Sequence, residues 1–354
     1  MPCTIVVGGQ YGSEGKGKVV ALTAMQQDEP WVVRCGGPNS GHTTAVHGRD
    51  VVLRQIPAAA GHANAMLFLA AGCAVSEEIL LMELNHCDLP RERVVVDPRA
   101  VLVTKADLDS EQELAETIGS TASGTGAALM RRMMRESGTR LVGDSDLLRA
   151  HVRVESVAPL LHDHLDCGGD VIVEGTQGFG LSLLHGPDYP HVTARDTTAA
   201  GFATEVGLSP RQVDEIIMVI RTFPIRVGGD SGPLADEITW EEIQRLSGAP
   251  EAYPELTSVT KRVRRVGEFD MEAVKVACQY NRPTSLAVMG LDRVNHTAHN
   301  IAAAQELPAQ ASRFLSMLED RLHLSVRWIG TGFGTFEATQ LEPHSIFGRT
   351  NARQ

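Results

Sequence analysis

Lysine is scarce in this chain: five of its 32 basic residues are lysines, set against 44 Asp and Glu, and the formal net charge is −12. That balance excludes nucleic acid as a bulk partner, because binding a polyanion relies on a broad basic face. An anionic ligand must instead be held by local cations, and two of the five lysines, Lys16 and Lys18, share one glycine-rich stretch. Long apolar runs are missing too. None approaches the roughly 18 residues of a membrane span, and the opening MPCTIVVGGQ has no basic region followed by an apolar one. We therefore expect a cytoplasmic protein with no membrane partner. The six cysteines (Cys3, Cys35, Cys73, Cys87, Cys167 and Cys278) form no C-x-x-C pair and have no histidine at metal-ligand spacing. They read as reduced core thiols.

What is present is a chain of 354 residues, 43% hydrophobic and 21% charged, enough to bury a large core. Short β-branched runs recur at 4–7 (TIVV), 31–34 (WVVR), 93–96 (RVVV), 170–175 (DVIVEG), 285–290 (SLAVMG) and 324–330 (LSVRWIG). Helical patterns between them include Arg211 to Arg221 and Met271 to Gln279. This alternation predicts an α/β fold, a mainly parallel central sheet flanked by helices on both faces. With no internal repeat, low-complexity tract or linker, residues 1–354 read as a single domain. Glycine clusters at 8–17, 36–37, 175–180 and 330–334 fall where strands end, and in open α/β sheets ligands bind at the carboxyl ends of strands. They outline one crevice.

The stretch GGQYGSEGKGK, residues 8–18, follows the first strand, and Gly12 to Lys18 fits G-x-x-x-x-G-K. Glycines let backbone N–H groups approach a phosphate, the following helix N-terminus favours an anion, and lysine adds a point charge. The next residue is Val19, not Ser or Thr. An ordinary P-loop magnesium site is thereby missing, which argues against a GTPase or kinase. The glycines are also misplaced for the G-x-G-x-x-G of a dinucleotide-binding oxidoreductase. The second glycine-rich stretch, CGGPNSGHTT at 35–44, carries His42. Alone this is as easily a bland loop residue. Beside a phosphate loop it becomes a general acid or electrostatic catalyst.

GGQYGSEGKGK, GGPNSGHT (36–43), STASGTGAA (120–128), EGTQG (174–178), HGPDYPHVTARDTTAAG (185–201) and SVTKRVRRVGEFD (258–270) together resemble the adenylosuccinate synthetases, in the family's order and across nearly the whole chain. The resemblance implies the P-loop-like fold of that family and a carbon–nitrogen ligase reaction in two steps. A nucleoside triphosphate phosphorylates the 6-oxygen of a purine monophosphate, and the amino group of L-aspartate then displaces that phosphate. It further implies that His42 stabilises the transferring phosphoryl group and that Mg2+ is held by the residue at position 13 and the backbone carbonyl of Gly41.

At position 13 the family has aspartate, which takes the proton from purine N1; this chain has Ser13. A hydroxyl is a poor base near neutrality, whereas a carboxylate with a reference pKa of roughly 3.9 is ionised. Serine makes sense if the purine carries a 2-amino group next to N1 that needs room and an acceptor. The same replacement marks the phage branch of the family, the 2-aminoadenylosuccinate synthetases acting on dGMP, for which the location would be the host cytoplasm. An ordinary inosinate-using enzyme and a non-catalytic purine nucleotide-binding relative stay open.

By the same resemblance, Gly12, Ser13, Glu14, Gly15, Lys16 and Gly17, with Gly41, His42 and Thr43, surround the donor's phosphates. Asp292 in MGLD (289–292) and Gly330, Thr331 and Gly332 in GTGFG (330–334) surround its base. Gly290 replaces the lysine with which the family reads guanine, so ATP or dATP fits better than GTP. Asn39, Thr121, Gln177 and Thr193 would line the purine monophosphate site together with Ser13. Arg135 would reach the partner's nucleotide across a homodimer interface. Thr260, Arg262 and Arg264 match the loop that grips aspartate, and a dicarboxylate suits planar guanidinium forks.

Overall fold

In a computed structural model, residues 3–112, 117, 119–257, 262–301 and 306–341 are described. The core is a ten-stranded sheet. Its strands are β1 (Cys3–Gly8), β2 (Trp31–Arg34), β3 (Met66–Leu69), β4 (Val94–Val96), β5 (Arg153–Val154), β6 (Val171–Glu174), β7 (Val213–Arg221), β8 (Ser285–Met289), β9 (Val326–Gly330) and β10 (Ala338–Gln340). They run in the spatial order β10-β9-β8-β7-β1-β6-β2-β3-β4-β5. Every pair is parallel except β9 with β10. Strands β1, β6 and β8 are buried at every position. That is why their sequences are mostly apolar and not alternating: helices cover both faces of a parallel sheet.

The helix pattern expected over Arg211 to Arg221 is instead β7, between β1 and β8. Its centre, Met218 to Ile220, is fully buried on both faces, and a continuous apolar run of that kind carries no periodicity by which a buried strand could be told from a buried helix. The helix expected from Met271 does form, over Met271–Asn281, with the Asp270 side chain accepting from Ala273 N. The thiols also divide: Cys3, Cys35, Cys73 and Cys87 are buried and Cys278 partly so, but Cys167 is exposed, and all six are free.

Because the strands are parallel, the loops that follow β1, β2, β6, β7, β8 and β9 leave the same edge of the sheet. A small antiparallel sheet stands at that edge, built from Ile225–Arg226, Glu237–Ile238 and Arg265–Gly267. It has a core of its own in Ile225, Trp240, Ile243 and Val266. The third of its strands fixes the end of the arginine-rich loop. The hairpin of His42–Val46 and Arg49–Leu53 carries His42 at its first position.

Candidate functional site

Among the described residues, two sizeable cavities open at this edge. The larger, about 540 Å³, is lined among others by Gly12, Ser13, Asn39, Gly41, His42, Thr121, Gln177, Thr193, Arg262 and Arg264. It lies within the roughly 300–1,000 Å³ usual for small-molecule sites. The smaller, about 170 Å³, is lined by Ser13 to Lys18, Gly41 to Thr43, Arg264, Gly290, Asp292 and Gly332 among others. Ser13, Gly41, His42 and Arg264 belong to both walls. Groups bound in the two cavities would therefore meet at these four residues.

The phosphate loop is wound around a buried carboxylate. Glu14 is fully buried; its Oε1 accepts from Gly12 N at 2.8 Å and Gln10 N at 3.2 Å, and its Oε2 from Lys16 Nζ at 2.5 Å. The approach leaves no room for side chains: a Cβ on Gly178 would lie 2.2 Å from Glu14 Oε1. Gly12 and Ser13 adopt φ 86° and 57°, a region that Ser enters only when its surroundings hold it there. The helix Lys16–Ala24 then starts from Gly15 at φ 98° with no side-chain cap, so its first N–H groups are left for a ligand. Lys18 Nζ crosses the smaller cavity to donate to Gly332 O at 2.5 Å, and burial pushes the amine down to about 8.

His42 is held from behind. Strands β2 and β6 are neighbours in register, so Arg34 lies beside Glu174. Glu174 Oε1 takes Arg34 Nη1 at 2.9 Å and His42 Nδ1 at 2.6 Å, while Oε2 takes Ala58 N at 2.7 Å. Burial alone would raise the Glu174 carboxyl, but Arg34 and the His42 bond hold it below the usual carboxylate range. Burial, then the positive charge of Arg34, pushes His42 down to about 4 despite that bond. The ring is thus neutral near pH 7, with Nδ1–H donating to Glu174 and the Nε2 lone pair left free. Arg34 Nη2 donates to Ser40 O at 2.7 Å, fixing the loop just before His42.

In the larger cavity, Gln177 Nε2 donates to Thr193 Oγ1 at 2.8 Å, leaving Gln177 Oε1 buried with no partner. An unpaired acceptor facing a cavity is one a ligand N–H can satisfy. Burial, with Glu255 opposing, lowers Arg264 to about 10. In the smaller cavity Gly290 has φ 83°, and a Cβ there would meet Thr222 Oγ1 at 3.0 Å. A side chain at this place would be strained, and Asp292 lines the same cavity two residues on.

Not every expected residue reaches a cavity wall. Gly330 ends β9, and its carbonyl accepts from Gly290 N at 3.1 Å. Thr331 is buried with its hydroxyl on Ile301 O at 3.2 Å, behind the wall that Gly332 forms. Arg135 is exposed just past the helix Thr125–Met133, with φ 54°. Thr260 lies outside the described residues. Conversely, the sequence motifs assign no role to Glu174 and Arg34, although Glu174 opens EGTQG. Arg221 and Glu255, which line the smaller cavity, belong to no motif.

A glycine-rich loop and an arginine-rich loop thus share a wall between two cavities, an arrangement that can bring two bound ligands together. The family model described as adenylosuccinate synthetase matches residues 5–155 and 145–299. The adenylosuccinate synthetase of Pyrococcus sp. (strain ST700) is 39% identical over 339 residues, covering 94% of this chain and 96% of that protein. That of Methanocaldococcus jannaschii is 37% identical over 339 residues, covering 94% of each. The chain belongs to the adenylosuccinate synthetase family and is a carbon–nitrogen ligase. Among solved structures, the fully ligated adenylosuccinate synthetase of Plasmodium falciparum has a TM-score of 0.84 at 18% identity, covering 97% of this chain and 100% of that one, and shares the fold. The succinoaminodeoxyadenylate synthetase of cyanophage S-2L, bound to dGMP and to dATP as an energy donor, has a TM-score of 0.81 at 26% identity, covering 98% of this chain and 97% of that one.

Proposed function

We propose that this ligase condenses L-aspartate with dGMP, driven by ATP or dATP, to give 2-amino-2′-deoxyadenylosuccinate. The observation that carries the reading is Ser13 on the wall common to both cavities, where the family's motif has a carboxylate. A short neutral hydroxyl there leaves space and an acceptor for the 2-amino group next to N1. A carboxylate would fill that space. The likeness to the cyanophage enzyme bound to dGMP and dATP supports the same reading. The higher identity of the archaeal adenylosuccinate synthetases supports a second one, an ordinary enzyme using inosinate.

In this mechanism the donor's phosphates lie along Gly15 to Lys18 and its γ-phosphoryl points at His42. The purine, held by Asn39, Thr121, Gln177 and Thr193, presents its 6-oxygen from the larger cavity. Glu174 accepts the Nδ1–H of His42 and so turns Nε2 towards the phosphoryl being transferred, where the arriving anion would draw a proton from solvent onto Nε2 and the imidazolium would donate to it. Arg262 and Arg264 orient the dicarboxylate so that its amine approaches C6. The Ser13 hydroxyl and Gly41 carbonyl are hard oxygen donors of the kind Mg2+ accepts. Among the described residues no cluster of three or more His, Cys, Asp or Glu is placed to hold a metal, so the ion would be held largely by substrate phosphates. When bound, Mg2+ neutralises charge on those oxygens. In a homodimer, Arg135 on its exposed helix end would reach the partner's purine nucleotide.

The test is a phosphate-release assay. Release should require aspartate and dGMP together, and Ser13→Asp should lower turnover of dGMP while restoring turnover of inosinate. Release supported by inosinate and not by dGMP in the unaltered protein would establish the second reading.

A further inference from the structure

The phosphate loop follows β1, the aspartate loop leads into the small antiparallel sheet, and one side chain touches both. Arg221, the last residue of β7, is clasped at its backbone by Gln10: Gln10 Nε2 donates to Arg221 O at 3.1 Å and Arg221 N donates to Gln10 Oε1 at 2.8 Å. From this fixed point Arg221 Nη1 donates to the Ser13 carbonyl oxygen at 3.0 Å, Nε donates to Phe223 O at 3.3 Å, and Nη2 pairs with the Glu255 carboxylate. Glu255 is in turn built into the aspartate loop, where its carbonyl accepts from Arg264 N at 2.8 Å, and Thr257 N donates to Arg262 O at 2.8 Å. The Arg221 and Glu255 side chains are 12% and 9% exposed. Ser13, at φ 57°, holds its conformation only with outside support, and Arg221 supplies part of it.

We propose that Arg221 is a positioning residue that couples the aspartate loop to Ser13, one guanidinium holding the Ser13 carbonyl and the Glu255 carboxylate together. The proposal rests on the two-cavity reading above. Its physical basis is the planar fork of arginine, which can serve two acceptors in fixed directions. A dicarboxylate arriving at Arg262 and Arg264 draws on the same positive charge that surrounds Glu255. The Glu255 to Arg221 pair then tightens, and Ser13 is held more firmly beside the purine. Aspartate binding and purine binding should therefore strengthen each other, by a factor that reciprocity makes equal in both directions.

The experiment measures the dissociation constant of the purine monophosphate by calorimetry on the full chain, with a non-hydrolysable donor present, without aspartate and at saturating aspartate. It is run with dGMP and with inosinate, so that the choice of purine does not decide it. In the wild type aspartate should tighten the purine at least about fivefold, the lower end of ordinary coupling. In Arg221→Met the factor should fall to about one and the KM for aspartate should rise. Glu255→Gln, which leaves the contact between Arg221 and Ser13 in place, should also lower the factor, and Arg221→Lys should restore part of it. A purely structural arginine would lower the melting temperature and leave the factor unchanged. That result overturns the proposal, as does a rise confined to the donor's KM, or a wild type without coupling. Failure of the two-cavity reading shows separately, as an aspartate KM unaltered in Arg264→Leu.

Discussion

Replacing Glu174 by Gln probes the group that holds His42. The carboxylate is fully buried and takes three donors, Arg34 Nη1, His42 Nδ1 and Ala58 N, at 2.9, 2.6 and 2.7 Å. Glutamine keeps the shape and one acceptor, but it removes the negative charge and turns an NH₂ towards donors. Arg34 is only 1% exposed, and stripping a buried charge of its partner costs about 3–5 kcal/mol. Against a typical native margin of about 5–15 kcal/mol this is a large share. For a chain of this size it corresponds to a fall in melting temperature of roughly 4–7 °C, which thermal unfolding followed by circular dichroism would read. Activity should fall further than folding. With the carboxylate gone, nothing fixes Nδ1 as the donor, and kcat should drop by about 10² or more even well below the melting temperature. A variant melting within a degree of wild type with unchanged kcat would refute the idea that an ionised Glu174 orients the imidazole.

Lys18, pushed down to about 8, is charged below that pH and neutral above it. The kcat/KM for the donor, which reports the free enzyme, should therefore decline as pH rises through about 8, and Lys18→Arg should move the decline upward. Its folded value lies below the unfolded one, so between about pH 8 and 10.5 the unfolded chain binds more protons, and this residue's contribution to stability grows with pH; Lys18→Met should flatten that rise in urea unfolding. Replacing Arg262 or Arg264 by Leu should raise the KM for aspartate more than that for the purine or the donor, because the lost contacts are to carboxylates. Equal changes in all three would point to a folding defect.

Much of the site was legible because phosphate chemistry uses contiguous backbone. The spacing from Gly12 to Lys18 and the position of His42 point to a phosphate cradle and an acid or electrostatic group, and both stretches line the cavities. What stayed hidden depends on pairs far apart in the chain. His42 meets Glu174 across 132 positions, and Arg221 meets Glu255 across 34. Arg221 was hidden twice, since reading 211–221 as a helix removed it from the edge of the sheet where the ligands gather. The core of that segment, Ile217 to Ile220, is an unbroken apolar run buried on both faces, which reads the same as a buried strand or a buried helix. Gly330 and Thr331 show the opposite failure: the motif was in place, and only Gly332 of the three reaches the cavity.

The central claim is that Ser13 suits a purine with a 2-amino group. The most direct measurement is kcat/KM of the unaltered enzyme for dGMP and for inosinate, at saturating aspartate and ATP. Ser13 is exposed in the empty site and becomes enclosed when a purine fills the larger cavity. An acceptor then left unpaired when the amino group is missing costs on the order of 1–3 kcal/mol, so dGMP should be favoured by roughly tenfold to over a hundredfold. A preference for inosinate would contradict the account and make Ser13 a tolerated replacement in an ordinary synthetase.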